Sequence, residues 1–375
     1  MAALFIVVVA LFFIASGYIA VQVCRILKRR SIWLRRAVWL VVALLDLGFF
    51  LTRLLPPCLL PLNRVVYVVS TYWLVVVLYG FIVIFCLDLL RWGARLSGHG
   101  ELFHTPRLMA ISATVTLLIV VYGSFVARRP YVHPYTVATN KLPAGESLTV
   151  ALVSDIHLGY AVRQDDVDKL VKMVNAIGPD LVIIAGDIID GDLAPVISDD
   201  LARGLEGLQS RLGTFAVMGN HEYMDDDAAA ESYLRSIRGL HLLRDSAIVV
   251  DGLTIVGRDD LSHLRAYGKA RAPLADLLPD SMGVCIVVDH QPVAIDEAEE
   301  AQVVDLCLSG HTHAGQVWPM KFFTNRIFRL DYGIACFGHA TAIVTSGFGT
   351  WGPRVRIGNH PEVVKISIEG KGAKQ

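Results

Sequence analysis

Leu148-Thr149-Val150-Ala151-Leu152-Val153-Ser154-Asp155-Ile156-His157-Leu158-Gly159 decides the fold of this 375-residue chain. The apolar, β-branched run Leu148–Val153 reads as a buried strand. It delivers a polar pair, Asp155 and His157, to its carboxyl end. In an extended segment residues two apart share a face, so carboxylate and imidazole aim at one object, and the natural object is a metal ion. Alone, such a pair is a common coincidence. The rest of the chain supplies its partners.

Downstream, apolar β-runs alternate with helical patterns, which predicts an α/β domain over 148–375. Val167, Leu170, Val171, Val174 and Ile177 form one helical face, with Asp165 or Asp166 expected as its cap. Leu181–Ala185 is a strand ending in Gly186-Asp187-Ile188-Ile189-Asp190. A helix is expected around 195–208. A strand over Thr214–Met218 then ends in Gly219-Asn220-His221-Glu222, and a capped helix follows at about 226–238. Ile248–Val256 reads as a hairpin with an Asp251-Gly252 turn. Val284–Val288 ends at Asp289-His290, and Val303–Leu308 ends at Ser309-Gly310-His311-Thr312-His313. Ala342–Thr345 and Val363–Ile368 are further strands. Five strands thus end in Asp, Asn or His, and in layered α/β architecture sites form at such ends.

Upstream the composition changes. Residues 1–129 hold 13 Lys+Arg against 3 Asp+Glu, and residues 130–375 hold 21 against 32, so a net charge of −1 hides a basic and an acidic half. Four apolar stretches, Ala2–Cys24, Ala37–Leu55, Val65–Leu90 and Leu108–Val126, each approach the ~20 residues that cross a bilayer. They predict a four-helix transmembrane domain over 1–129. The loop after the first span carries Arg25, Lys28, Arg29, Arg30, Arg35 and Arg36, and that after the third Arg91, Arg95 and Arg107. The positive-inside rule puts both in the cytoplasm and everything after 129 outside, against the local sense of Arg128 and Arg129. Asp46, Arg53 and Asp88 lie in or at the edges of spans; Arg53 and Asp88 can snorkel, and Asp46 can pair with a neighbouring helix. The proline-rich residues 130–147 read as a linker. Six cysteines show no disulfide or zinc-finger spacing, and no basic stripe interleaved with aromatics invites nucleic acid.

Asp155, His157, Asp187, Asn220, His290, His311 and His313 are seven candidate ligands, too many for one ion. Mixed carboxylate, imidazole and amide donors suit two divalent ions drawn from Mn, Fe, Zn or Co rather than Ca or Mg. Two ions about 3.5–4 Å apart, with Asp187 between them, can bridge a hydroxide and clamp a displacement at phosphorus. Protonating the leaving alkoxide then falls to His221, with Asp190 fixing its tautomer.

The blocks D-x-H, G-D-x-x-D, G-N-H-E, a lone His and G-H-x-H, in this order over 148 to about 350, resemble the calcineurin-like metallophosphoesterases. The resemblance implies a layered β-sandwich flanked by helices. It implies one ion held by Asp155, His157, Asp187 and His313, and a second by Asp187, Asn220, His290 and His311. It assigns His221 and Asp190 as the acid dyad. The tail from Ser346-Gly347-Phe348-Gly349 to Gly358-Asn359-His360-Pro361-Glu362 resembles membrane-anchored or exported bacterial members. Asp289 before His290 departs from the small residue many relatives carry, and touches no ligand.

The expectation is an integral-membrane, dinuclear-metal phosphoesterase acting outside a bacterial cell membrane on phosphomonoesters, phosphodiesters or pyrophosphates. Two readings compete. One is a lipid-linked nucleotide pyrophosphatase similar to those that cleave UDP-diacylglucosamine, whose substrate lies in the cytoplasm. The other is an inactive metal-binding sensor or transporter, which would be expected to lose the acid histidine or a bridging aspartate. Tyr223 and Trp351 read as rim or loop-packing aromatics, Glu222 as structural, and the remaining histidines as surface or turn residues.

Overall fold

The computed structural model describes all residues except 1, 28–29, 53, 55, 99–104, 279–282 and 372–375, and not the side chains of 2–5, 57 and 105. Lys28, Arg29 and Arg53, named above, lie outside the described residues, as do His99 and His104 among the remaining histidines. The chain divides into two compact units, one ending at Phe125 and one beginning at Val126.

The first unit is helical: α1 (Ala2–Ile26), α2 (Ile32–Leu51), α3 (Leu60–Leu96) and α4 (Thr105–Ala127). Among the described residues three helices are long and apolar enough to cross a membrane, over Ile6–Ile26, Leu60–Leu96 and Pro106–Ala127. The fourth expected span, α2, falls outside that class because Arg35, Arg36 and Asp46 lie within its 20 residues. Buried Asp46 and half-buried Asp88 are both bonded by neighbouring helices, as apolar surroundings demand. Asp46 accepts from Ser16 Oγ at 2.8 Å and Trp73 Nε1 at 2.7 Å. Asp88 accepts from Gln22 Nε2 at 2.6 Å and from the Tyr18 hydroxyl.

The second unit is a sandwich of two six-stranded sheets. The first uses β1 (Tyr131–Thr139), β2 (Ser147–Val153), β3 (Leu181–Ala185), β4 (Thr214–Val217), β5 (Leu240–Leu243) and β12 (Glu362–Gly370), in the order β1-β12-β2-β3-β4-β5. The second uses β6 (Ser246–Val250), β7 (Leu253–Gly257), β8 (Cys285–Val288), β9 (Leu306–Ser309), β10 (Gly333–Phe337) and β11 (Ala340–Val344), in the order β10-β11-β9-β8-β7-β6. The helices are α5 (Gln164–Ile177), α6 (Ala194–Ser198), α7 (Asp227–Arg235), α8 (Ser262–Tyr267), α9 (Ala294–Ala301) and α10 (Lys321–Ile327).

Period-two patterning builds the layers. Leu148, Val150 and Leu152 of β2 join Ile183, Phe215, Ile255, Ile286, Leu308 and Val364 in the core between the sheets. Ala151 and Val153, on the other face, pack with Val167, Leu170 and Val174 of α5. Val287 and Cys307 similarly face Ile295 and Ala298 of α9. The result is the helix-flanked, layered β-sandwich expected above. Strands β2, β3 and β4 run parallel, as do β7, β8 and β9, so their carboxyl ends collect at one edge of each sheet.

Several local expectations are corrected. The linker over 130–147 is mostly β1, paired in parallel with β12 from Tyr131↔Glu362 to Thr139↔Gly370. Its prolines masked an alternating pattern, but β1 is the sheet's edge, where proline is tolerated. The cap of α5 is Arg163, not an aspartate; Asp166 sits at the third helical position and accepts from Arg163 N at 3.1 Å. The expected helix over 195–208 splits into α6 and a 3₁₀ segment at Leu201–Gly207. Strands β5 and β10 were not anticipated.

Glu362 locks β1 to the tail. Its carboxylate is fully buried beside His133 Nδ1 at 3.0 Å. It accepts from the hydroxyls of Tyr131 (3.2 Å), Tyr332 (3.1 Å) and Thr345 (2.9 Å), and from Ser346 N at 3.0 Å. Glu362→Ala strands these donors and should destabilise the unit by about 3 kcal/mol. Thermal unfolding of the full chain checks this; an unchanged Tm would contradict it.

Candidate metal centre

Each ligand-type residue follows a strand end. Asp155 and His157 follow β2, Asp187 follows β3, Asn220 and His221 follow β4, His290 follows β8, and His311 and His313 follow β9. The backbone departs from strand geometry at these points. Asp155, His157, Asp187, His311 and His313 all have positive φ, between 49° and 69°. Residues with a Cβ avoid this region at a cost of roughly 1–2 kcal/mol each. Five such residues in one cluster are held there by the surrounding fold, a pattern typical of functional sites. Two glycines make room. A Cβ at Gly219 would collide with the Asp187 carboxylate, and one at Gly310 with Ser154 and Asp155.

All eight residues are brought together. His157 Nε2 and His313 Nε2 lie 3.0 Å apart, and Asp155 Oδ1 is 3.3 Å from the latter. On the other side of Asp187, His290 Nε2 is 3.1 Å from Asp187 Oδ2 and 3.2 Å from Asn220 Oδ1. Among the described residues the ligand atoms form three overlapping groups: Asp155/His157/His313, His157/Asp187/His221 and Asp187/His290/His311. Asp187 belongs to two of them, so the cluster has two lobes sharing one carboxylate. Carboxylate and imidazole donors held this close together suit divalent metal ions. Supporting bonds orient the donors. His290 Nδ1 meets Ala185 O at 2.8 Å, leaving Nε2 to face the centre. His311 N donates to the Asp155 carboxylate at 3.0 Å.

Asp190 lies deeper than its expected role required. Its Oδ1 is 3.1 Å from His157 Nδ1 and 3.4 Å from His221 Nδ1, so it orients two rings. His221 Nε2 is 3.9 Å from Asp187 Oδ2. Burial opposes charge on the His221 ring, yet Asp187 and Asp190 outweigh it and raise its pKa. Burial likewise opposes charge on Asp187, but His290, His221 and His157 hold its pKa well below the usual carboxylate range. His290 is raised in turn, because Asp187 and Asp155 outweigh its burial. His311 is pushed down to about 4 by burial and by the neighbouring His290.

Two residues complete the framework. Glu222 is buried, and its carboxylate accepts from the backbone of Gly219 (2.6 Å), Ile189 (2.8 Å) and Asp187 (3.2 Å). It staples the β3 and β4 ends together, a structural role of the kind its sequence suggested. Burial and the nearby Asp187 push its pKa up to about 7. Arg356 was not singled out in the sequence. It is fully buried, donates to Gly349 O at 2.6 Å and Gly347 O at 3.2 Å, and lies 3.3 Å from His313 Nδ1. Its only sequence signal is a cation inside a glycine-rich tail. At the rim, Trp351 meets His221 edge-on at 6.3 Å between ring centroids, and the Tyr223 hydroxyl is held by Asp259 and Arg244.

The calcineurin-like phosphoesterase family matches residues 148–315. An uncharacterized metallophosphoesterase of Aquifex aeolicus (strain VF5) is 35% identical over 246 residues, covering 64% of this chain and 92% of its own length. A transmembrane protein with metallophosphoesterase domain from Danio rerio is 31% identical, over 70% of this chain and 63% of its own length. The protein of that description from Bos taurus is 32% identical, over 75% of this chain and 67% of its own length. This chain therefore spans roughly two-thirds of the two animal relatives. By these matches, and by the carboxylate–histidine cluster that lies within residues 148–315, the chain belongs to the calcineurin-like metallophosphoesterases, metal-dependent hydrolases of phosphate esters.

Proposed function

We propose that this chain is an integral-membrane phosphoesterase with a dinuclear centre, acting on phosphomonoesters, phosphodiesters or pyrophosphates, lipid-linked ones among them. The observation that carries this reading is the two-lobed cluster around Asp187, with His221 at its edge. Asp155, His157, Asp187 and His313 would hold one divalent ion, and Asp187, Asn220, His290 and His311 the other. Mn, Fe, Zn or Co suits the mixed donor set. When bound, such a pair supplies positive charge for the phosphoryl oxygens and acidifies a water for attack.

The protein's own groups supply the rest. His221 has Nδ1 turned to Asp190, which leaves Nε2 to donate a proton to the departing alkoxide. The neighbouring carboxylates favour the protonated ring this task needs. Asp190 holds His157 and His221 at fixed spacing, so proton donor and ligand sphere stay in register. The site keeps both Asp187 and His221, the residues whose loss would mark an inactive relative. His221→Ala should retain bound metal yet lose turnover by about 10²–10⁴-fold on an alkyl phosphate, and less on a nitrophenyl ester. Full activity on the alkyl substrate would refute the acid role.

The dense basic loop after α1 supports a cytoplasmic position for that loop and an extracytoplasmic one for the catalytic unit. Cys336 is exposed on the catalytic unit and reports on this. A membrane-impermeant maleimide should label Cys336 in right-side-out membrane vesicles without detergent. Labelling that requires detergent would place the unit in the cytoplasm and favour a cytoplasmic lipid-precursor substrate.

A further inference from the structure

The segment from Trp318 to Ile327 departs from the rest of the catalytic unit. None of the seven α10 residues is buried. Phe322, Phe323 and Ile327 are 61%, 58% and 65% exposed, and Trp318 just ahead is 48% exposed. A surface helix ordinarily turns its apolar stripe toward the core; this one turns two phenylalanines and an isoleucine to the outside. The charge is also local. Residues 316–330 contain Lys321, Arg326 and Arg329 and no Asp or Glu, in a half of the chain that is acidic overall. Arg329 is taken up by Asp296 and Glu299 at 2.6 Å each. Lys321 Nζ lies 5.6 Å from the Tyr332 ring centroid.

The patch is built onto the metal centre. Its leading end packs closely on Gly315, two residues past His313. At its trailing end the Phe328 ring meets His311 edge-on at 5.6 Å. Gln316 ties it to Trp351: Trp351 N donates to Gln316 Oε1 at 3.0 Å, and Gln316 Nε2 donates to Trp351 O at 2.9 Å. Trp351, which stands over His221, is itself 43% exposed.

The carboxylate beside α10, Asp331, is buried and accepts from Thr324 Oγ1 at 2.9 Å; exposed aromatic and aliphatic groups edged by Lys321 and Arg326 suit the lipid–water boundary. Rings and branched chains enter the head-group and acyl boundary there, while Lys and Arg meet lipid phosphates. A protein partner would also cover an apolar patch. The chain itself favours lipid: among its described residues three helices are long and apolar enough to cross a bilayer. Residues 130–375 carry an excess of acidic groups, 32 Asp+Glu against 21 Lys+Arg, whereas Lys321 and Arg326 give this segment the charge that anionic head groups attract. We infer that Trp318–Ile327 docks on an anionic lipid bilayer. Phe322, Phe323 and Ile327 enter the head-group boundary, and Lys321 and Arg326 face lipid phosphates. Docking holds His311 and His313 at head-group level. Resting on the hydrolysis proposed above, it further makes a phosphoryl group at the bilayer surface the class of substrate presented to the site.

The test uses the full chain in nanodiscs of phosphatidylglycerol and phosphatidylcholine. A photoreactive p-benzoylphenylalanine replaces Phe322, Phe323 or, as control on the β6–β7 hairpin, Val249, which is 59% exposed. After irradiation, lipid adducts identified by mass spectrometry should be about tenfold more abundant at 322 and 323 than at 249. Lys321→Glu with Arg326→Glu should reduce them by about threefold or more. Adducts no higher than the control, or adducts to a second copy of the chain, overturn the docking. Adducts unmoved by charge reversal overturn its cationic half. Turnover of a soluble nitrophenyl phosphate, read in the same samples, should not change with the charge reversal. Loss of docking and absence of hydrolysis therefore register separately.

Discussion

The buried carboxylate of Asp187 is the constraint on which the catalytic unit depends. Its Oδ2 lies 3.1 Å from His290, 3.7 Å from His157 and 3.9 Å from His221, and its Oδ1 accepts from His221 N at 2.9 Å. Removing a carboxylate from water costs several kcal/mol, and only concentrated positive charge or good hydrogen bonding offsets this. Imidazoles from the ends of β2, β4 and β8 converge on it and, with the His221 amide, offset that cost. The same concentration of donors is what binds divalent ions, so the group most costly to bury is also the one that organises the chemistry.

That arrangement taxes the backbone. Asp155, His157, Asp187, His311 and His313 sit in the left-handed region, and Gly219 and Gly310 are kept bare so that carboxylates can approach. The strands behind them absorb the strain. β2, β3, β8 and β9 are buried along nearly their whole lengths in a close-packed sandwich that resists local relaxation. Glu222 and Glu362 do the corresponding work outside the ligand sphere. Each is a buried carboxylate filled with hydrogen bonds, one joining the β3 and β4 ends and the other joining β1 to the tail. The helical unit follows the same rule at Asp46 and Asp88, whose partners come from other helices.

Much of the site was legible in the sequence because metal chemistry demands unusual residue types at predictable places. Asp, Asn and His at the ends of apolar strands contrast sharply with the strands themselves, and the order of the blocks is distinctive. The legible parts were those that depend on local pattern: the inner strands, α5, the β6–β7 hairpin. The parts that escaped depend on tertiary context. β1 was hidden by Pro130, Pro134 and Pro143, which an edge strand and its flanks tolerate. β5 and β10 are short strands at sheet margins, with weak patterns of their own. Asp190 shows a carboxylate three residues past Asp187, but not that it stands between two histidine rings. Arg356 gains its place behind His313 only when the glycine-rich tail folds back. The outward face of α10 is invisible to periodicity, because an apolar helix face reads the same whether it meets a core or a membrane.

The central claim is that the cluster around Asp187 holds two ions. The direct measurement is metal content per chain on the purified full-length protein, combined with anomalous diffraction to locate the ions. Two sites sharing Asp187, one beside Asp155, His157 and His313 and the other beside Asn220, His290 and His311, are the predicted result. A single site at full occupancy, or scattering away from Asp187, would contradict the account.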